Sequence, residues 1–155
     1  MGWFATPLEH LQKLVASSET FQAVVNKGSE ELAKSKVLIW SPDDELPEES
    51  IPRAIVGPTG NRKVTKTSTT GWRLSGGLVV MFEFVVPADK QTSRAVAHKW
   101  FSDTLDLIVD EIINQSGKDG YLAIESLIEF EPPDFVDTDD TNGVWEMNAT
   151  YIVTT

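Results

Sequence analysis

Apolar residues near the start of the chain recur with helical spacing. Between residues 8 and 15 they return every three or four positions, and they follow Thr6, whose side chain can cap a helix. A second, shorter helix is expected after Ser18, another capping residue. Residues 1–35 are therefore predicted to form a helical segment that precedes a first strand at residues 36–40.

A longer helical pattern occupies residues 90–116. Asp89 stands where an N-terminal cap belongs, and Gly117 is expected to end the helix. A helix of this length spans about 40 Å, enough to cross a whole sheet. Its apolar stripe consists of Ala97, Phe101, Leu105, Ile108 and Ile112.

The strongest strand pattern lies at residues 78–86, with the sequence LVVMFEFVV. One face carries only apolar side chains, and the opposite face is also largely apolar because it presents Val79, Met81 and Val85. A strand that is apolar on both faces is usually covered on both sides. The second cover is expected to be the N-terminal helices or another subunit, so these three residues are candidate subunit contacts.

Two further strands are predicted at residues 121–131 and 144–154. Apolar and polar residues alternate in both, which indicates one buried and one solvated face. Glu125, Glu129 and Glu131 share the polar face of the first of these strands, either as a solvated surface or as an acidic patch in an assembly. The predicted fold class is α+β, a mostly antiparallel sheet backed by one long helix and short N-terminal helices.

Residues 57–77 form a basic segment in an acidic protein. No Asp or Glu occurs between Ile51 and Phe82, whereas the whole chain has a net charge of −11. The segment is rich in Thr, Ser and Gly, so it is predicted to be a flexible basic arm, a long loop or hairpin that becomes ordered on a partner. A turn is expected at residues 57–60.

The basic arm has two interpretations. It is either a flexible surface loop or an extension that binds a neighbouring acidic surface. A tryptophan within the arm favours the second interpretation. Its candidate contact residues are Arg62, Lys63, Lys66, Trp72 and Arg73.

Composition narrows the class of protein. A chain of 155 residues is expected to form a single domain, residues 1–155, with a substantial core. It has no cysteine, its start does not resemble a secretory signal, and no apolar run approaches the roughly 20 residues of a membrane helix. The acidic excess argues against general nucleic-acid binding, which normally depends on a basic surface.

The sequence contains no convincing catalytic or ligand-binding motif. His10 and His98 lie in predicted helices without the spacing of a zinc site, and the glycines at residues 57–60 lack the spacing of a phosphate-binding loop. The acidic residues of the connection at 131–143 do not match the positions of an EF-hand. We therefore predict no enzyme activity, no catalytic residue, no cofactor and no metal.

The order of these elements resembles that of bacteriophage tail terminators, also called tail completion or tail-to-head joining proteins. The resemblance covers the helical N-terminus, the arm before LVVMFEFVV, the long helix and the closing strands GYLAIESLIEFE and GVWEMNATYIVTT. In that family the pattern implies an α+β subunit of a hexameric ring, which stops growth of the tail tube and offers a docking surface to the head connector.

The resemblance also implies partners and a location. The partners would be other copies of the chain, the tail tube protein and the head-tail connector, while DNA would pass at most through the lumen without specific binding. The protein would be assembled in the bacterial cytoplasm and end in the virion tail or neck. Two alternatives stay open: another neck, head-completion or tail-tube-like subunit, and a monomeric binding module that uses the basic arm.

Overall fold

The computed structural model describes residues 5–40, 46, 50–130, 134–135 and 142–154. The helices in these ranges are α1 (Ala5–Ala16), α2 (Glu19–Val24), α3 (Glu30–Ala33) and α4 (Arg94–Gln115). The strands are β1 (Val37–Ile39), β2 (Arg53–Lys66), β3 (Trp72–Val85), β4 (Ala123–Phe130), β5 (Asp134–Phe135) and β6 (Asn142–Thr154). These elements confirm the predicted α+β class.

The strands form one sheet in the order β1-β2-β3-β6-β4, and the short β5 pairs with β6. β1 runs parallel to β2, and the other pairings are antiparallel. β3 lies at the centre because β2 pairs with it along one side and β6 along the other, from Arg73 to Val85. The sheet is thus mostly antiparallel, as predicted.

All four helices contribute to a core on one face of the sheet. Alternate residues of β3 point into this core, and Phe82 and Phe84 lie there with centroids 6.1 and 6.3 Å from the ring of Phe21 on α2. Phe101 of α4 packs edge-on against Phe84 at 5.9 Å. The N-terminal helices and α4 therefore share one face, so the predicted alternative in which the N-terminal helices cover the second face of β3 is wrong.

A carboxylate of α4 fixes the start of α2. Glu111 accepts hydrogen bonds from the backbone N–H of Thr20 at 3.1 Å, from the Thr20 hydroxyl at 3.0 Å and from the Ser18 hydroxyl at 3.0 Å. Ser18 also accepts a bond from the N–H of Phe21, as its predicted capping role requires. The negative charge of Glu111 therefore lies at the positive end of α2.

The long helix begins later than its sequence pattern indicated. Asp89 lies in a short 3₁₀ turn, Ala88–Lys90, and the N-terminal cap of α4 is Ser93, whose hydroxyl accepts from the N–H of Val96 at 3.2 Å. The side chain of Gln91 donates to the carbonyl of Val86 and holds this turn against the end of β3. The helix has 22 residues and spans about 33 Å, and it ends before Gly117 as expected.

The basic segment is a regular hairpin rather than a loop. Residues 57–66 belong to β2 and residues 72–77 to β3, so β3 begins at Trp72 instead of residue 78. The turn predicted at residues 57–60 is absent because residues 57–59 pair with β3, and the register shifts between Thr59 and Lys63, where Gly60 has a φ of 64°. The hairpin alternative of the prediction is therefore confirmed.

Of the last two predicted strands, β6 follows the predicted alternation of apolar and polar residues more closely than β4. Trp145, Met147 and Tyr151 of β6 are buried, as their alternation predicted. β4 has two register shifts against β6, between Ile124 and Ser126 and between Leu127 and Glu129, so a strict period of two does not hold there. The side chain of Glu129 and the residue Glu131 lie outside the described part of the chain.

Candidate subunit interface

The second face of the sheet, called here the outer face, is not covered by any described helix. On β3 it presents Val79, Met81, Glu83 and Val85, which alternate with the buried residues of the core face. Val79 and Met81 are half-buried, and Val85 is 44% exposed. Three residues predicted as subunit contacts therefore lie together on a largely apolar surface.

Neighbouring strands extend this apolar surface into a shallow cleft. Ile55 pairs with Met81 and Gly57 pairs with Val79, so β2 lines one side of the cleft. Trp40, which follows β1 and is 50% exposed, packs over Gly57, where an added Cβ would lie 3.4 Å from the Trp40 Cβ. The cleft has a volume of about 270 Å³, and Glu146 of β6 adds one carboxylate to its lining.

An ion pair borders this cleft along the same face. Arg53 and Glu83 occupy paired positions of β2 and β3, and the Arg53 Nε and Nη2 atoms each lie 2.9 Å from Glu83 Oε2. Their side chains are only 7% and 17% exposed. The hydroxyl of Ser50 accepts from Arg53 Nη1, and the carbonyl of Ser50 accepts from Lys36 Nζ. Burial lowers the pKa of Lys36, with smaller effects from nearby positive charges.

Arg73 lies on the outer face, further along β3. Its Nη2 atom is 2.9 Å from Glu125 Oε1, so the ion pair spans β6 and joins β3 to β4. The two side chains are 38% and 47% exposed, and surface pairs of this kind contribute little to stability. Arg73 was predicted as a partner contact, and in this chain it binds a carboxylate of the polar face of β4.

The turn end of the hairpin, next to residues 67–71, carries the other predicted contacts. Lys63 and Lys66 are exposed, and Trp72 is 42% exposed with its ring centroid 5.7 Å from Lys66 Nζ. Arg62 belongs to β2, but its side chain lies outside the described part of the structure. Lys66 and Trp72 form a pair on the face opposite to Lys63 and Arg73, so the predicted contacts do not form one continuous patch.

The histidines and acidic residues of the described ranges do not form a candidate metal site. No group of three or more His, Cys, Asp or Glu in these ranges could hold a metal ion. His10 and His98 are both exposed, and Ser102 Oγ lies 3.5 Å from His98 Nδ1. Within the described ranges, no helix is long and apolar enough to cross a membrane. The acidic connection at residues 131–143 falls mostly outside the described residues, and Gly143 within it belongs to β6.

Some residues of the outer face were not singled out from the sequence. Trp40, Ile55 and Glu146 belong to three different strands or their ends, and the parallel pairing of β1 with β2 brings the first two together. The signals were present, because Trp40 is an aromatic residue at a strand end and Ile55 is a β-branched residue of the kind that strands favour. Whether these three residues lie together depends on the order of the strands in the sheet, which the spacing of apolar residues along the chain does not specify.

Comparison with known proteins leaves the family of this chain open. No protein-family model matches the sequence. No curated protein is significantly similar to it.

Proposed function

We propose that the protein is a structural subunit that assembles into a ring, and that this ring is a bacteriophage tail terminator. The observation that carries the proposal is that none of the described helices covers the outer face of the sheet. Helices cover one face, while the central strand presents Val79, Met81 and Val85 on the other. Apolar surface of this kind is typical of a contact between proteins.

The outer face suits a protein contact better than a small-molecule site. Its cleft is shallow and mostly apolar, and Glu146 is the carboxylate among its described lining residues. Catalytic pockets usually bring several polar groups together around the reacting atoms. A flat apolar face bordered by the Arg53–Glu83 ion pair instead matches the core and rim of a subunit interface.

The proposal includes the partners of a tail terminator. Further copies would meet through the outer face, and other surfaces of the ring would contact the tail tube protein and the head connector. The acidic net charge of −11 is compatible with a lumen that DNA passes without binding. The ring would be part of the virion tail or neck after assembly in the bacterial cytoplasm.

The native mass of the purified protein tests the proposal, alone and with the cognate tail tube protein. We expect a ring of about six subunits, either free or formed on the ends of tubes, which then stop growing. Met81→Glu should reduce this assembly because it buries a charge in the interface. Leu32→Glu is the matched control, since Leu32 is 58% exposed on α3, away from the outer face. A monomer that leaves tube growth unchanged would contradict the proposal.

A monomeric binding module is the second candidate. The proximity of Lys66 to the ring of Trp72 favours it, because an exposed cation beside an aromatic ring can bind an acidic ligand. This function would give one-to-one binding that weakens as salt is added, without self-association. Native mass therefore separates the two candidates directly.

A further inference from the structure

The turn end of the hairpin carries an exposed cluster that combines apolar groups with a positive charge. Val64 is 49% exposed, Trp72 is 42% exposed, and the exposed Lys66 lies beside the Trp72 ring. Val64 pairs with Leu74, which is buried in the core, so this cluster lies on the helix-side face of the sheet. We call Val64, Lys66 and Trp72 the hairpin patch.

α4 exposes a surface of opposite charge and similar apolar content. Leu107 and Ile113 are 55% and 47% exposed, although they belong to the longest helix of the described chain. Asp106 and Asp110 are exposed beside them, and neither forms an ion pair with the described residues. These four residues lie within two turns of the helix, and we call them the helix ridge.

The helix ridge is unfavourable for an isolated helix. Asp106 and Asp110 are four residues apart, so their like charges repel across one turn. The last turn of α4 contains no basic residue that could offset this repulsion. A positively charged partner on this surface would offset it.

We propose that the hairpin patch of one copy docks on the helix ridge of a second copy. Lys66 would lie between the carboxylates of Asp106 and Asp110, and the apolar residues of each surface would cover those of the other. Opposite charges of this kind orient two proteins as they meet and determine the register of their contact. The inference rests on the proposed ring function and specifies one of its contacts.

The two surfaces belong to different parts of the chain, so the contact is head-to-tail rather than symmetric. Each copy then uses its hairpin patch on one neighbour and its helix ridge on the other. Head-to-tail contacts produce rings when the rotation between subunits closes. This contact therefore allows copies of the chain to close a ring, and it acts in addition to the contact through the apolar outer face.

Two charge-reversal variants test this contact. The first is Lys66→Glu, and the second is the double substitution Asp106→Lys and Asp110→Lys. Each variant alone places like charges at every contact, so we expect self-association to weaken by about tenfold or more, measured by analytical ultracentrifugation. An equimolar mixture should recover assembly, because each variant then meets only the complementary surface of the other in an alternating ring.

Recovery on mixing distinguishes a contact from a folding defect, since two misfolded proteins would not restore one another. Lys34→Glu is the matched control, because Lys34 is exposed on a different surface, and it should assemble like the wild type. If either charge-reversal variant assembles normally, or the mixture does not recover, this contact is wrong while a wild-type ring still supports the proposed function. A wild type that stays monomeric even with tail tubes would overturn both.

Discussion

Arg53 and Glu83 form an ion pair on the outer face of the sheet, with Nη2 and Oε2 2.9 Å apart and both side chains largely buried. A second hydrogen bond from Arg53 Nε reaches the same carboxylate oxygen. The pair joins β2 to β3 directly beside the apolar cleft, so it fixes the surface on which the proposed subunit contact depends.

Removing one partner of this pair should destabilise the protein. Glu83→Gln removes the carboxylate charge that lies 2.9 Å from the buried guanidinium of Arg53, and hydrogen bonds to charged groups contribute about 1.5–3 kcal/mol. We expect a loss of that size in the free energy of unfolding by urea. Asp103→Asn is the control, because its ion pair with Lys99 is exposed and should contribute less than about 1 kcal/mol. Equal effects of the two substitutions would contradict this account.

The contact of Glu111 with the start of α2 leads to a second prediction. Glu111→Ala removes the acceptor for the N–H of Thr20 and for two hydroxyl groups, so stability should fall by about 1–2 kcal/mol. Asn114→Ala on the same helix should be neutral or slightly stabilising, because the Asn114 side chain is exposed and alanine has the higher helix propensity. Thermal unfolding of the two variants measures the difference, and a larger loss for Asn114→Ala would be inconsistent with the structure.

Local sequence signals predicted most of the elements of this fold. Ser18 caps α2, the apolar stripe of α4 is buried, and β6 alternates as expected. These features depend on nearby residues in the chain, which periodicity and capping describe well. The errors lie where distant partners decide the structure, as in residues 57–66, whose poor intrinsic strand pattern is overridden by pairing with β3.

The candidate interface was only partly predictable. Val79, Met81 and Val85 were identified because a central strand that is apolar on both faces needs a second cover. Trp40 and Ile55 could not be added, since their position beside Met81 depends on strand order. The basic residues were expected to act together, but neighbouring residues of a strand point to opposite faces, which separates Lys66 from Arg73.

Two glycines of the sheet should not tolerate a side chain. A Cβ at Gly77 would lie 2.4 Å from the Thr59 hydroxyl and 2.6 Å from its carbonyl oxygen, and one at Gly143 would lie 2.7 Å from the Phe101 ring. We expect Gly77→Ala and Gly143→Ala each to reduce stability by about 1–3 kcal/mol in denaturant titrations. Gly28→Ala is the control, because no atom lies within 4 Å of the added Cβ, and it should cause no such loss.

The stability of the protein at high pH should depend on Tyr121. Its hydroxyl donates a hydrogen bond to Glu30, and this bond, with burial and the charge of Glu30, raises the pKa of Tyr121 above its ordinary value of 10.0. A raised pKa in the folded state means that the stabilising contribution is complete below about pH 10 and is lost as the pH rises through the folded value. The wild type should therefore be more stable than Tyr121→Phe near neutral pH.

The difference between the two proteins should be constant up to about pH 9 and shrink above about pH 10, when the unfolded tyrosine ionises first. Lys36 acts in the opposite direction, because its lowered pKa makes stability rise as the pH approaches 10.5. Both proteins contain Lys36, so its effect cancels in the comparison. Urea unfolding at a series of pH values measures the difference in the free energy of unfolding between the wild type and Tyr121→Phe. A difference that increases above pH 10 would show that the Tyr121–Glu30 hydrogen bond does not raise the pKa of Tyr121.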